Sequence, residues 1–165
     1  MDAGLLIARM VLGLMMAAHG SQKLFGWFGG YGIAGTGGFF ESLGFRPGRF
    51  FAMAAGASEV IGGLLVALGL LGPLGPAMII AVMIVAIATV HWPHGLFAQN
   101  NGFELPLLNI AAAAAIALIG NGAYSLDAGL GLSWRPEVVW TVLALGVIGG
   151  FANLAIRRAP ATVAA

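Results

Sequence analysis

The sequence predicts an all-α, polytopic membrane protein, a transmembrane helical bundle with a four-helix core and a fifth transmembrane helix near the C-terminus. Of 165 residues, 60% are apolar and only 8% are charged, and the mean hydropathy is +0.98. A soluble domain carries about 25% charged residues, so lipid must be the main solvent here. The apolar runs are long and do not alternate with polar residues, which favours helices over strands. The net charge of +1 argues against nucleic acid as a partner.

Five apolar stretches are long enough to cross a bilayer as helices. A hydrocarbon core about 30 Å thick requires roughly 17–25 residues per helix, and the third and fourth stretches lie near the lower limit. We expect residues 1–130 to form the four-helix core and residues 131–165 to add the fifth helix and a short tail. The predicted spans are residues 3–20, 50–71, 76–92, 103–120 and 138–156.

Basic residues are divided unequally between the two faces of the predicted bundle. We call the face that holds the N-terminus side A and the opposite face side B. Only Arg135 falls in the side A loops, whereas side B receives Lys23, Arg46, Arg49, Arg157 and Arg158. Cytoplasmic loops carry an excess of Lys and Arg. We therefore expect a cell-membrane protein, in the inner or plasma membrane, with side B towards the cytoplasm.

Three polar residues stand out inside the predicted helices. Arg9 is about two turns into the first helix, Glu59 is near the middle of the second, and Asn109 is inside the fourth. An ionisable group within a bilayer costs about 2.5–3.5 kcal/mol, so such groups usually face the bundle interior and pair. Arg9 and Glu59 fall at similar depths, which predicts a buried ion pair between them. That pair would either lock two helices together or take part in proton or ligand handling.

A second polar group is predicted at side B, where the first and third helices end and the fourth begins. His19 and His91 end the two odd-numbered helices, and Glu104 begins the fourth. An imidazole exchanges protons near neutral pH, and a carboxylate can orient it or accept its proton. We predict that His19, His91 and Glu104 are catalytic and line one ligand pocket. The alternative is that they anchor independently at the headgroups. The ligand-binding residues predicted beside them are Lys23, Trp92 and Asn101.

The residue types present restrict the redox chemistry that the chain could perform. It contains no cysteine, which excludes disulfides, iron–sulfur clusters and dithiol exchange within the chain itself. A redox role would therefore require a bound cofactor or quinone, or a partner protein. No metal site is predicted. His19 and His91 could together ligate a haem, although quinone is the favoured cofactor.

A glycine-rich segment follows the first helix, and a short helix over residues 36–43 is expected after it. This helix is predicted to lie in the membrane interface with Phe39 and Phe40 facing lipid.

An ordered set of short motifs resembles the DoxX family of membrane proteins over roughly residues 4–130. The motifs are His19-Gly20-x-x-Lys23-Leu24-Phe25-Gly26, residues 35–40, Glu59-x-x-Gly62-Gly63, residues 86–91, residues 95–97, Asn101-Gly102-x-Glu104 and Tyr124-Ser125-Leu126-Asp127. The resemblance implies a four-helix core, and the fifth helix departs from it. The family is similar to the membrane subunit of a thiosulfate:quinone oxidoreductase, and other members are linked to quinone or thiol stress and to membrane oxidoreductase complexes.

The resemblance and the side B residues together predict a membrane subunit of an oxidoreductase system that binds quinone and is linked to redox or thiol and sulfur metabolism. A soluble or membrane-bound redox partner is expected, and a homo-oligomer is an open alternative. Two other functions remain open from the sequence. One is a non-catalytic membrane scaffold that recruits a redox enzyme through its loops. The other is a small transporter or channel in which Arg9, Glu59 and Asn109 line a polar path.

Overall fold

The computed structural model describes residues 2–158, and every regular element in that range is helical. The predicted all-α fold class is therefore confirmed. The tail predicted after Arg158 lies outside the described residues. The helices are α1 (Asp2–Phe25), α2 (Gly32–Ser42), α3 (Gly48–Leu68), α4 (Leu74–Ala86, continued by a π-helical turn and a 3-10 turn to His94), α5 (Glu104–Ile119), α6 (Leu126–Gly129) and α7 (Pro136–Ala155).

Four helices of the described chain are long and apolar enough to cross a membrane: Asp2–Phe25, Gly48–Leu68, Leu74–His94 and Pro136–Ala155. The C-terminal helix is one of them. α5 has only 16 residues and is shorter than the four candidate spans, as the lower-limit length of the fourth predicted stretch indicated. The protein is thus a multi-pass membrane protein whose main solvent is the lipid bilayer.

Glycines allow α1 and α3 to pack with their backbones almost in contact. A Cβ added to Gly13 would lie 2.6 Å from the backbone nitrogen of Ala67, and one added to Gly63 would lie 2.7 Å from that of Ala17. Lipid tails are as apolar as the helix side chains, so the hydrophobic effect does not drive helices together in a bilayer. Their association depends instead on close van der Waals packing. A side chain at either glycine would push the helices apart, so these positions determine the α1–α3 register.

The remaining spans pack around α4, which is the central helix of the bundle. Gly146 and Gly150 of α7 lie against α4, where added Cβ atoms would come within about 3 Å of Ala77 and Ala81. One hydrophobic cluster runs through α1, α3, α4, α5 and α7 and includes Met16, Val66, Ile79, Ile116 and Leu143. The core therefore continues across the boundary at residue 130, because α7 contributes to the same cluster as the preceding helices.

The helix ends meet in two separate groups, one at each face of the bundle. At side A, the Asp2 carboxylate accepts a hydrogen bond from the Ala123 N–H, at 3.0 Å. At side B, the Arg157 guanidinium donates to the Leu43 carbonyl, and the Arg158 N–H donates to the Gly44 carbonyl at 2.9 Å. The chain end after α7 therefore lies beside the α2–α3 loop, on the face opposite the N-terminus.

Candidate functional site

A cavity of about 300 Å³ opens at side B between α2, α3, α4 and α7. Its walls are mostly apolar, with aromatic side chains from α2 and from the start of α3. Pockets of this kind, apolar with a few convergent polar groups, are typical of small-molecule sites. The lining residues are Lys23, Phe39, Phe40, Leu43, Phe45, Phe51, Ala54, Ala55, Ser58, Ala81, Val82, Val85, Ala86, Thr89, Val90, His91 and Asn153.

Three of the five polar side chains that line this cavity, those of Lys23, Ser58 and His91, form no hydrogen bond with a carbonyl of their own helix. The Thr89 hydroxyl donates to the Val85 carbonyl at 2.8 Å, and the Asn153 amide donates to the Gly149 carbonyl at 2.9 Å. Each of these two side chains therefore uses one donor within its own helix. Of the other three polar lining residues, Lys23 and His91 are the ones that can carry a charge or exchange a proton.

Lys23 forms a salt bridge with Glu59, and its ammonium group contacts both carboxylate oxygens. The Glu59 side chain is only 1% exposed, whereas that of Lys23 is 27% exposed. The carboxylate therefore lies inside the bundle behind the cavity wall, and the lysine connects it to the cavity. Pairing is what makes a carboxylate tolerable at this depth.

The predicted ion pair between Arg9 and Glu59 is wrong, although both residues are buried as expected. The contact of Gly13 with Gly63 and of Gly20 with Gly56 places Arg9 opposite Ala67. This level is roughly 12 Å from Glu59 at 1.5 Å rise per residue.

The direction of side chains on a helix explains which cation reaches Glu59. Each Cα–Cβ bond tilts towards the N-terminus of its helix, which for α1 means towards side A. Lys23 starts near side B and therefore extends inward to Glu59, whereas Arg9 extends away from it. The Arg9 guanidinium instead donates to the carbonyls of Asn121 and Tyr124 in the side A loop.

Asp127, which belongs to a motif quoted from the sequence but was assigned no role there, is the centre of a buried polar network at side A. Its carboxylate accepts hydrogen bonds from the Leu71 and Gly72 N–H groups and from the side chains of Asn121 and Trp134, at 2.8–2.9 Å. Together with Arg9, it joins the α3–α4 turn to the loop before α7. A lone acidic residue between glycine-rich loop segments was the available sequence signal. We interpret this network as a structural lock.

A second cavity, also of about 300 Å³, lies beside this network at side A. Asn121, Ser125 and Asp127 contribute polar groups to its wall, and Trp134 and Trp140 contribute aromatic rings. The Asp127 carboxylate in it is already surrounded by four donors. Because these donors already bond Asp127, the side A cavity offers fewer free hydrogen-bond donors to an acceptor-rich ligand than the side B cavity does.

His91 lies at the end of a π-helical turn that interrupts α4. The turn covers Ile87–His91, and three of its residues, Thr89, Val90 and His91, line the side B cavity. π-Turns are rare and occur frequently at functional sites. The His91 Nδ1 lies 2.8 Å from the Asn101 carbonyl, which can only accept, so Nδ1 carries the proton. In the neutral ring, Nε2 is then left as the acceptor for a ligand.

The structure does not bring the three predicted catalytic residues together. His19 and Glu104 do not line the cavity that contains His91. The His19 Nδ1 lies 3.2 Å from the Gln22 side-chain oxygen, on the exposed surface of α1. Glu104 accepts a hydrogen bond from the Ala98 N–H at 2.8 Å, which closes the loop between α4 and α5.

Trp92 and Asn101, which were predicted to bind the ligand, belong to the same loop. The Trp92 ring stacks on Phe103 with the ring centroids 5.3 Å apart, and the Asn101 carbonyl holds His91. Both residues therefore support the loop beside the cavity and do not line it. Of the predicted binding residues, Lys23 alone lines the cavity.

Phe39 and Phe40 of α2, which were predicted to face lipid, both line the side B cavity, although Phe39 is also 48% exposed. The helix itself is found, and it extends over Gly32–Ser42. It packs across α3, where Gly37 allows close approach: an added Cβ would lie 3.1 Å from Arg49. The two aromatic rings therefore border the space between α2, α3 and α4, and Phe39 is also accessible from outside the bundle.

The polar path suggested for a transporter is not supported by the positions of its residues. Arg9 bonds to the side A loop, whereas Glu59 of α3 pairs with Lys23 near the side B end of α1. Asn109 contacts the Met83 sulfur at 3.7 Å. None of Arg9, Glu59 and Asn109 lines either of the two cavities. Among residues 2–158 there is also no cluster of three or more metal-ligating side chains.

The fold and the cavity define a multi-pass helical-bundle membrane protein with an apolar, interfacial ligand cavity. The family model named DoxX matches residues 4–92, just over half of the 165-residue chain. The chain therefore belongs to the DoxX family. The matched region includes Lys23, Glu59 and His91, and it ends before Asn101 and Glu104. No curated protein and no solved structure matched the chain.

Proposed function

We propose that this protein is the quinone-binding membrane subunit of an oxidoreductase system, with the quinone headgroup in the side B cavity. The observation that carries the proposal is the combination, in one apolar cavity, of a lysine paired to a buried carboxylate and a histidine. The family context supports a redox-related role. By the positive-inside rule, the cavity would open at the cytoplasmic face of the cell membrane.

The size and character of the cavity suit a substituted quinone ring. A volume of about 300 Å³ lies at the small end of the range for ligand sites, so it would hold the ring but not a long isoprenoid tail. Phe39, Phe45 and Phe51 line the cavity and would pack against the ring. The tail would leave through the open side into the surrounding lipid.

Lys23 and His91 would supply the polar contacts to the two quinone oxygens. An ammonium group has three N–H donors, and the two Glu59 oxygens leave one of them for a ligand. That donor would stabilise the negative charge that develops on an oxygen as the ring is reduced. The His91 Nε2, an acceptor in the neutral ring, would take the proton of a hydroquinone hydroxyl during oxidation and, once protonated, would return it to the ring oxygen during reduction.

The reaction requires a partner protein because the chain itself carries no electron source. Reduction of a quinone to a hydroquinone consumes two electrons and two protons. The chain has no cysteine, so a dithiol within it cannot provide the electrons. A soluble or membrane-bound redox enzyme would deliver them at side B, and hydroquinone oxidation would run the same steps in reverse.

The proposal is tested by measuring quinone bound to the purified full chain. Extraction of the detergent-solubilised protein and mass spectrometry should recover quinone, and titration with a short-chain benzoquinone should saturate. Ala55→Phe places a ring in the cavity and should weaken binding at least tenfold. Ala115→Phe is the matched control, because Ala115 is exposed on α5 and does not line the cavity.

Two results would contradict the proposal. One is the absence of both co-purified quinone and saturable binding, particularly if a soluble redox enzyme is captured instead, which would favour the scaffold function. The other is equal binding by the Ala55→Phe and Ala115→Phe proteins, which would place the quinone elsewhere.

A further inference from the structure

Four arginines converge around the C-terminal half of α2 at side B. Arg46 lies in the α2–α3 loop, and Arg49 is in the first turn of α3, beside Gly37. Arg157 and Arg158 follow α7, where they bond to the carbonyls of Leu43 and Gly44. Segments distant in sequence are thus joined into one basic surface, which we call the arginine cluster and define as Arg46, Arg49, Arg157 and Arg158.

Gly44 is the residue that allows the C-terminal pair to join this cluster. Its φ of +94° lies in the left-handed region, which favours glycine. An added Cβ would also collide with the Arg158 carbonyl and lie 3.2 Å from the Arg157 side chain. The close approach of the chain end to the α2–α3 loop therefore depends on the absence of a side chain here.

The positive charge of the arginine cluster is not neutralised within the described chain. The salt bridges of residues 2–158 are Lys23–Glu59 and Arg135–Glu137, so none of the four arginines is in one. Glu41 is the acidic residue of α2, and its carboxylate accepts a hydrogen bond from the Gly48 N–H at 3.0 Å. Arg46, Arg49 and Arg158 are exposed. Four positive charges around one loop, without an acidic partner in a salt bridge among the described residues, favour the binding of an anion there.

The surroundings of the arginine cluster are apolar, which distinguishes a lipid from a soluble anion. Phe39, Phe50 and Ile156 are exposed beside it, at the level where α2, α3 and α7 reach side B. A guanidinium binds a phosphate through two parallel N–H···O bonds. Basic pockets between transmembrane helices on the cytoplasmic side are suited to anionic headgroups. The exposed apolar side chains would meanwhile contact acyl chains.

We propose that the arginine cluster is a binding site for the phosphate of an anionic phospholipid, such as phosphatidylglycerol or cardiolipin. The lipid borders the side B cavity, because Leu43 and Phe45 line that cavity and the adjacent loop carries the bonds from Arg157 and Arg158. This site stands independently of quinone binding.

The experiment compares lipid binding by the purified full chain and two variants, using native mass spectrometry in detergent with added phosphatidylglycerol or phosphatidylcholine. The test variant is Arg46→Gln/Arg49→Gln/Arg158→Gln. Gln keeps the Cγ of Arg49 that packs near Gly37, and Arg157 is left intact because it bonds to the chain. The control is Arg135→Gln, which removes a side A arginine of an exposed pair.

Phosphatidylglycerol should bind in preference to phosphatidylcholine. At about 1 kcal/mol, or fivefold, per arginine, the triple variant should lose roughly a hundredfold in affinity at an unchanged melting temperature. The Arg135→Gln protein should bind as the unmodified chain does. Inorganic phosphate at millimolar concentration should not displace the lipid.

Several outcomes would overturn the proposal. Equal binding of the two lipids would show that the headgroup charge is not recognised. The same loss per charge removed, about fivefold in the Arg135→Gln protein against about a hundredfold in the triple variant, would indicate only a diffuse effect of net charge. Displacement by inorganic phosphate would assign the cluster to a soluble anion. Binding of a polyglutamate peptide in place of lipid would assign it to an acidic protein partner.

Discussion

The Lys23–Glu59 salt bridge predicts an asymmetric response to removal of its two charges. Lys23→Met leaves a carboxylate that is 1% exposed without a counter-charge, and breaking a buried pair in this way costs about 3–5 kcal/mol. Glu59→Gln leaves a lysine that is 27% exposed. Its long side chain can turn towards headgroup water, so the cost should be about 1–3 kcal/mol for the altered hydrogen bonds.

The double variant Lys23→Met/Glu59→Gln should lose about as much stability as Glu59→Gln alone. The loss would then be smaller than the sum of the single losses by the whole Lys23→Met loss, about 3–5 kcal/mol, which is at or above the upper end of the coupling found for residues in direct contact. The assay is the free energy of unfolding in mixed micelles, measured for both single variants and the double variant. Arg135→Gln is the matched control, because its pair with Glu137 is 82% and 71% exposed and should contribute less than about 1 kcal/mol.

A second set of single and double variants, with Arg9→Gln and Glu59→Gln, tests whether Lys23 or Arg9 is the partner of Glu59. Arg9 and Glu59 lie at levels roughly 12 Å apart, so their effects should add within about 0.5 kcal/mol. Coupling between Arg9 and Glu59, or a larger loss for Glu59→Gln than for Lys23→Met, would refute the reasoning from side-chain direction.

Two further stability predictions follow from the packing and from the side A network. Asp127→Asn should lower the free energy of unfolding by about 2–4 kcal/mol, because an amide presents an NH₂ group to donors that now bond a carboxylate; unchanged thermal unfolding would contradict this. Gly63→Ala should cost about 1–3 kcal/mol, since its Cβ would lie 2.7 Å from the Ala17 nitrogen. Gly149→Ala is the control, because a Cβ added at Gly149 would have no atom within 4 Å; it should be neutral or stabilising by about 0.5–1 kcal/mol. Equal changes in stability at Gly63 and Gly149 would contradict the close α1–α3 packing.

The helices and their alternation could be predicted from the sequence because they depend on the length and polarity of each stretch. The burial of Arg9 and Glu59 followed from the same reasoning, since a charge inside an apolar run must face the interior. Their partners could not be predicted in that way. Which residues pair depends on the α1–α3 register, which the glycine contacts determine, and on the direction of each side chain. The depth of a residue in the membrane determines neither of these.

The composition of the side B cavity was predicted only in part for a related reason. Lys23 and His91 lie at helix ends, where the membrane topology brings them to one face, and both line the cavity. His19 is on the same face, but its position around α1 turns it to the surface. Two further features have no clear sequence pattern, because they depend on tertiary packing. They are the π-helical turn that ends at His91 and the orientation of α2, which brings Phe39 and Phe40 to the cavity.

The location of the quinone is the central claim, and photolabelling with an azido-benzoquinone tests it most directly. The side A cavity has a similar volume and serves as an internal alternative. We predict that peptide mapping will find adducts within residues 39–58 and 81–91, and that unmodified quinone will compete them away. Adducts within residues 117–140 at side A, or labelling along lipid-facing helices without competition, would contradict the assignment of the quinone to the side B cavity.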